Sequence, residues 1–127
     1  MLTPHLILND PQAGQVATIS IDKNYFDVVH EGMRDAVTFG TVTSLNVPYV
    51  KVAAKSGTAQ LGLAKNKVNS WVIGFFPYEN PKYAFAVMME AGPAGSGSGA
   101  AASIMRQLLD WMSLNTPEYF NSLRPSP

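Results

Sequence analysis

The sequence predicts an α+β domain, an antiparallel three-stranded meander with an N-terminal helix before it and a C-terminal helix after it. Three observations carry that prediction. Two stretches near opposite ends of the chain repeat apolar residues at helical spacing. Three extended apolar stretches lie between them. The links between those three are short and polar, too short for crossovers, so successive strands run antiparallel.

The elements follow in order. The first twenty residues read as extended and loop-like, with turn chemistry at Asn9-Asp10-Pro11 and Ala13-Gly14, and residues 16–21 alternate as a short strand does. Asp22 is a helix N-cap candidate. Phe26, Val29, Met33 and Val37 then form one apolar stripe, with Lys23, Asp27, His30 and Arg34 on another face. Gly40 suits a left-handed C-cap. Residues 41–49 read as a connector. From Tyr49 the pattern alternates into Lys55-Ser56-Gly57-Thr58, which predicts a strand through that tetrapeptide. Residues 62–69 form a polar turn, with Lys65 and Lys67 solvated. Residues 70–77 are apolar on both faces and end at Pro77, as a buried strand does. Residues 79–82 are a hairpin turn, and residues 83–90 a further buried strand. Residues 92–99 are Gly- and Ser-rich and read as a flexible joint; the lysine of a phosphate-binding loop is missing there. A helix from about Ala100 carries Ala101, Ile104, Met105, Leu108, Leu109 and Met112 on its apolar side, and Asn115 and Pro117 end it. Residues 1–115 thus form one subdomain, and 116–127 a flexible tail.

Composition narrows the function. A length of 127 residues, 46% of them apolar, makes one domain with a real core. Nine basic residues balance nine acidic ones, without the basic excess of a nucleic-acid binder. No apolar run reaches the ~18–20 residues of a membrane span, and the N-terminus has no signal-peptide pattern, so Met1 reads as a start placed inside a longer protein. Cysteine is absent, which excludes disulfides and thiolate metal sites.

The tetrapeptide Lys55-Ser56-Gly57-Thr58 carries the chemistry. It places a cation, two hydroxyls and a glycine on one strand, with Lys55 and Gly57 on one face and Ser56 and Thr58 on the other. The glycine leaves room for a ligand along the strand edge. There a peptide adds as an extra strand, and a backbone N–H serves an oxyanion.

Around this motif, the segment from Val52 to Gln60 resembles the third motif, K-[ST]-G, of class B penicillin-binding protein transpeptidase domains. Residues 28–37, with Gly32-Met33 followed by Gly40-Thr41, resemble that family's "GM…V" helix. Residues 70–77, 80–87 and 104–110 resemble the strands and closing helix that follow, in the family's order. The wording Lys55-Ser56-Gly57-Thr58-Ala59-Gln60, with Met105-Arg106-Gln107, is most similar to the penicillin-binding protein 2 type used in cell elongation and cell shape.

The resemblance implies a serine-type DD-transpeptidase of peptidoglycan (cell wall) biosynthesis, acylated by a stem peptide or a β-lactam. It implies that Lys55 holds the substrate carboxylate, that the Ser56 and Thr58 hydroxyls bond it, that Gly57 lets it lie close, and that the Thr58 backbone N–H is an oxyanion donor. The S-x-x-K nucleophile and the S-x-N motif are expected off this chain, which alone is expected to be inactive. Ser44-Leu45-Asn46 matches S-x-N as a string but sits in the wrong order. No metal or cofactor is implied. The expected partners are a stem peptide or β-lactam and the remainder of the transpeptidase domain. Because family members place further strands beside the last one, self-association through the exposed edge of 83–90 is also expected. The parent is expected at the periplasmic or extracytoplasmic face of the cytoplasmic membrane. A β-lactamase or carboxypeptidase of the same superfamily is a rival, and a non-catalytic β-lactam sensor or wall-peptide or partner-binding domain is the alternative. His5 and His30 read as solvated histidines, Asp27, Glu31 and Asp35 as a solvated acidic face, and Trp71, Phe75, Phe76, Tyr83 and Phe85 as core.

Overall fold

The computed structural model describes residues 20–96 and 99–120. Most of the alternating stretch 16–21, and His5, lie outside them; Ser20 and Ile21 are exposed and belong to neither helix nor strand. The order is helix α1 (Lys23–Thr38), a 3-10 turn (Thr43–Leu45), strands β1 (Ala53–Leu61), β2 (Lys67–Phe76) and β3 (Tyr83–Pro93), a 3-10 turn (Ala94–Ser96), helix α2 (Gly99–Asn115) and a 3-10 turn (Pro117–Tyr119). The sheet is antiparallel in the order β1-β2-β3, which is the predicted meander.

Local chemistry explains the boundaries. Asp22 caps α1, its side chain accepting from the Asn24 amide at 2.9 Å. The helix closes at Phe39, and Gly40 is not left-handed as expected. Its requirement is steric: a Cβ there would lie 2.6 Å from the Ala36 Cα. The β1–β2 turn uses two left-handed residues, Gly62 and Lys65.

One sheet face makes the core. Val68, Ser70, Val72, Gly74 and Phe76 of β2 are buried, while Trp71 and Ile73 between them are 40% and 50% exposed. The expectation that this strand is buried on both faces is therefore corrected. β3 likewise alternates half-buried and exposed residues, so it has one covered face and not two. Helix α2 covers that face with Ala101, Ala102, Met105 and Leu109, while Ile104 and Leu108 of its apolar side stay exposed. Ser70 joins sheet to helix. Its hydroxyl accepts from the Ala101 amide at 3.1 Å, satisfying one of the unpaired donors at the start of α2.

The connector before β1 is core as well. Val42, Leu45, Val47, Val50 and Val52 are all buried. Residues 92–96, read as a flexible joint, instead complete β3 and a 3-10 turn. Residues 116–120, read as the start of a tail, dock: the Phe120 ring lies 5.3 Å from Tyr49 and 5.8 Å from Phe76. Residues 121–127 lie outside the described residues.

A polar network ties α2 to the connector. Tyr49 donates to the Asp110 carboxylate at 2.6 Å, Arg106 donates to both Asp110 oxygens, and Arg106 also reaches the Ser44 carbonyl at 3.0 Å. The Tyr49 hydroxyl, then Arg106, hold the Asp110 carboxyl below its usual range. A depressed folded pKa stabilises the fold above the unfolded value and is lost as pH falls through the folded one. Tyr49→Phe is therefore expected to lower the denaturation midpoint at neutral pH, with the gap to the wild type narrowing as the pH falls below the ordinary carboxylate range and the Asp110 carboxyl takes up its proton. Urea titrations at several pH values check this.

Candidate functional site

β1 runs through the tetrapeptide and places it on an edge of the sheet. Gly57 sits opposite Trp71, Ser56 opposite Val72 and Thr58 opposite Ser70. Lys55 and Gly57 thus share the exposed face with Ile73 and Trp71, and Ser56 and Thr58 share the covered face. Lys55 and Thr58 are exposed, and Ser56 and Gly57 half-buried. The Lys55 ammonium bends to the strand edge and donates to the Ser56 carbonyl at 2.6 Å. On a strand, residues two apart present their backbone groups to the same side, so the Thr58 N–H and C=O face the edge that Lys55 reaches.

Gly57 has no structural reason to be glycine. An added Cβ would meet only the Trp71 Cβ, at 3.5 Å, an ordinary contact, and its backbone is not left-handed. Gly74, across the sheet, is the opposite case and is buried under Phe85.

Sequence reasoning missed Thr41 as a neighbour of the motif. Its hydroxyl is 2.9 Å from the Ser56 hydroxyl. The close approach of Gly40 to Ala36 turns the chain straight off α1, and this brings Thr41 to β1. The signal was Gly40-Thr41 itself, which the sequence shows as a helix end and as part of the family resemblance, without its reach to β1. α1 is further held by Arg34, which donates to the Val52 carbonyl at 2.8 Å just before β1.

The helix meets the rest of the chain differently from expectation. Of the apolar stripe, Val37 is buried and Met33 half-buried, but Phe26 and Val29 are 39% and 57% exposed. Part of the polar face does the docking instead. His30 is not a solvated histidine: its ring packs 4.7 Å from Phe75 and is half-buried. Of the acidic face, Asp27 and Glu31 are exposed as expected, Asp27 in a surface ion pair with Lys23 at 2.6 Å, while Asp35 is half-buried.

Two strings match the family's other motifs without their geometry. Ser20-Ile21-Asp22-Lys23 fits S-x-x-K by spacing, against the expectation that this chain holds no such motif. Ser20 precedes the N-cap, and Lys23 is ion-paired with Asp27. Lys23 and Thr38 lie at opposite ends of α1, about 22 Å apart at 1.5 Å per residue, and Thr41 and Ser56 lie beyond the Thr38 end. Ser44-Leu45-Asn46 covers the end of the 3-10 turn Thr43–Leu45 and its C-cap Asn46; Leu45 is core and the Ser44 carbonyl serves Arg106. A cleft of about 610 Å³ opens near the start of α1, lined by Lys23, Asp27, His30, Glu31, Tyr78, Glu79 and Pro81. Two of its carboxylates are already ion-paired, Asp27 to Lys23 and Glu79 to Lys51, and it lies away from the tetrapeptide.

Residues 1–110 match the family described as penicillin binding protein transpeptidase domain. The chain belongs to that family. Peptidoglycan D,D-transpeptidase MrdA of Escherichia coli K12 is 31% identical over an alignment that covers 87% of this chain and 21% of that protein. Pseudomonas aeruginosa PBP2, solved in complex with WCK 5153, is 32% identical and superposes with a TM-score of 0.59, covering 81% of this chain and 23% of that one. Penicillin-binding protein A from Mycobacterium tuberculosis, solved as a ceftriaxone acyl-enzyme complex, is 31% identical with a TM-score of 0.55, covering 65% of this chain and 19% of that one. These relatives support the penicillin-binding protein 2 type within the family. The chain spans about a fifth of the length of the curated relatives it matches. Among the described residues no helix is long and apolar enough to cross a membrane.

Proposed function

We propose that this chain supplies the K-S-G-T wall of a peptidoglycan D,D-transpeptidase site, the strand edge along which a stem peptide or a β-lactam lies. The observation that carries this is Gly57: the fold does not require a glycine there, whereas a ligand lying against the strand does. Lys55 attracts the ligand's carboxylate, Ser56 and Thr58 offer hydroxyls, and the Thr58 N–H faces a developing oxyanion. Thr41 holds the Ser56 hydroxyl in place. The nucleophile is supplied from elsewhere in the domain, since Ser20 and Lys23 lie at the far end of α1. The intact protein works at the outer face of the cytoplasmic membrane.

Binding by one wall alone is weak, with Kd of about 1 mM or above. Titrating the ¹⁵N-labelled chain with a peptide ending in D-Ala-D-Ala is expected to shift the amides of 55–60 selectively. Lys55→Ala is expected to weaken that binding about fivefold, the equivalent of one charge-assisted contact at a wet edge. A fluorescent penicillin is expected to leave no covalent label after denaturing electrophoresis. Shifts scattered over the chain, or none, would overturn the binding reading, and stoichiometric labelling would overturn the placing of the nucleophile.

A further inference from the structure

We propose that the β1–β2 turn, through Lys65 and Lys67, is a cationic subsite that takes a free carboxylate carried by the stem peptide upstream of its D-Ala-D-Ala end. This subsite deepens the strand-edge reading and rests on it. Charge is spread unevenly along the chain. Nine basic residues balance nine acidic ones overall, yet residues 36–78 hold four lysines and no aspartate or glutamate. Of the four, Lys51 is ion-paired to Glu79, while Lys55, Lys65 and Lys67 are in no ion pair among the described residues. The hairpin that carries the tetrapeptide is thus a positive patch on a neutral chain, and Lys55 alone serves the terminal carboxylate.

The direction of the ligand brings it to the other two. With the terminal carboxylate at Lys55 and the attacked carbonyl at the Thr58 N–H, the peptide runs antiparallel to β1. Its upstream residues then pass Ala59, Gln60 and Leu61 toward the turn. From Thr58 to Leu61 is about 10 Å. A stem peptide covers about the same length from the attacked D-Ala, through the diamino acid, to the glutamyl residue. That residue is linked through its side chain, so its α-carboxyl group can stay free. The free carboxylate arrives where Leu61 pairs with Lys67, on the face that Lys55 shares. The turn is held at both ends: the Lys65 amide donates to the Gly62 carbonyl at 3.4 Å, and the Ala94 amide to the Asn66 carbonyl at 3.0 Å. Lys65 is exposed at a left-handed φ of 50°, where glycine or asparagine strains the backbone less. Turn geometry therefore does not select a lysine there, whereas an anionic ligand does.

The test titrates the ¹⁵N-labelled 127-residue chain with two peptides in about 20 mM salt, where exposed charges are little screened. One is N-acetyl-L-Ala-γ-D-Glu-L-Lys(Nε-acetyl)-D-Ala-D-Ala, and the other is the same peptide with the glutamyl α-carboxyl group amidated. Both are expected to shift the amides of 55–60. Only the free acid is expected to shift those of 62–67, and to bind about fivefold tighter, as two exposed ion pairs allow. Lys65→Gln combined with Lys67→Gln is expected to abolish that preference and to leave the affinity for the amidated peptide unchanged. Lys82→Gln, in the β2–β3 link, is expected to keep the preference. All three lysines are exposed, so the spectrum away from the substitutions is expected to be unchanged. Shifts at 55–60 with equal affinity for the two peptides would overturn the subsite and leave the strand-edge reading standing. A preference that survives the double exchange, or that Lys82→Gln lowers as much, would overturn the assignment to the turn. No shifts at 55–60 with either peptide would overturn the strand-edge reading and the subsite together.

Discussion

Gly74→Ala is expected to destabilise the fold by about 3 kcal/mol, the upper end for overpacking a tight site. A methyl at this position would press into the Ala53 carbonyl oxygen and stand 2.6 Å from the Phe85 Cζ. The phenyl ring can swing away; the Ala53 carbonyl belongs to the neighbouring strand and cannot move without opening the β1–β2 ladder, where Gly74 faces Ala54. A small domain has only about 5–15 kcal/mol in total, so much of the stability goes. The control is Gly57→Ala, a glycine-to-alanine change in the same sheet. It is expected to leave stability within about 1 kcal/mol, on the stabilising side, because alanine has less unfolded entropy to lose and meets only an ordinary contact. Urea midpoints of the two variants check this, at unchanged slope. If the two fall together, the separation of a packing glycine from a ligand glycine fails.

Leu45→Ala is expected to cost about 3 kcal/mol. Leu45 sits in a three-residue 3-10 turn, a place where a truncation would ordinarily be mild. It is nevertheless fully buried, in one core with Val37, Val42, Val72, Met105 and Leu109, and its turn packs against both α1 and α2. The void left at such a junction collapses poorly, because each wall is held by its own element. The contrast is Leu63→Ala in the exposed β1–β2 turn, expected to fall within about 0.5 kcal/mol. Equal losses at the two positions would show that the connector is not core.

The residues that failed to announce themselves share a cause. Trp71 and Ile73 are as apolar as Val72, yet they lie on the open side of a sheet whose other face α2 covers. An apolar run says that a strand has large side chains, and the number of covered faces depends on what else packs there. His30 and Arg34 read as solvent-facing because they are polar, but each meets β-strand or pre-strand material, one through its ring and the other through a guanidinium bond to a carbonyl. Long and amphipathic side chains reach across gaps in ways that helical periodicity does not record. Ser70 looked like the first residue of an apolar strand and is the cap for a helix thirty residues on.

The sequence by itself determined the element types, their antiparallel order, the family, and the four residues that make the candidate site. Those follow from local periodicity, turn chemistry and a short motif in a fixed order, none of which needs a partner to be read. Only the tertiary structure decided that one sheet face is closed, that the connector is core, that Thr41 meets Ser56, and that packing requires the glycine at Gly74 and not the one at Gly57. Each of these depends on which surface arrives from a distant part of the chain and how closely it packs. Contact across space, unlike spacing along the chain, has no one-dimensional signature.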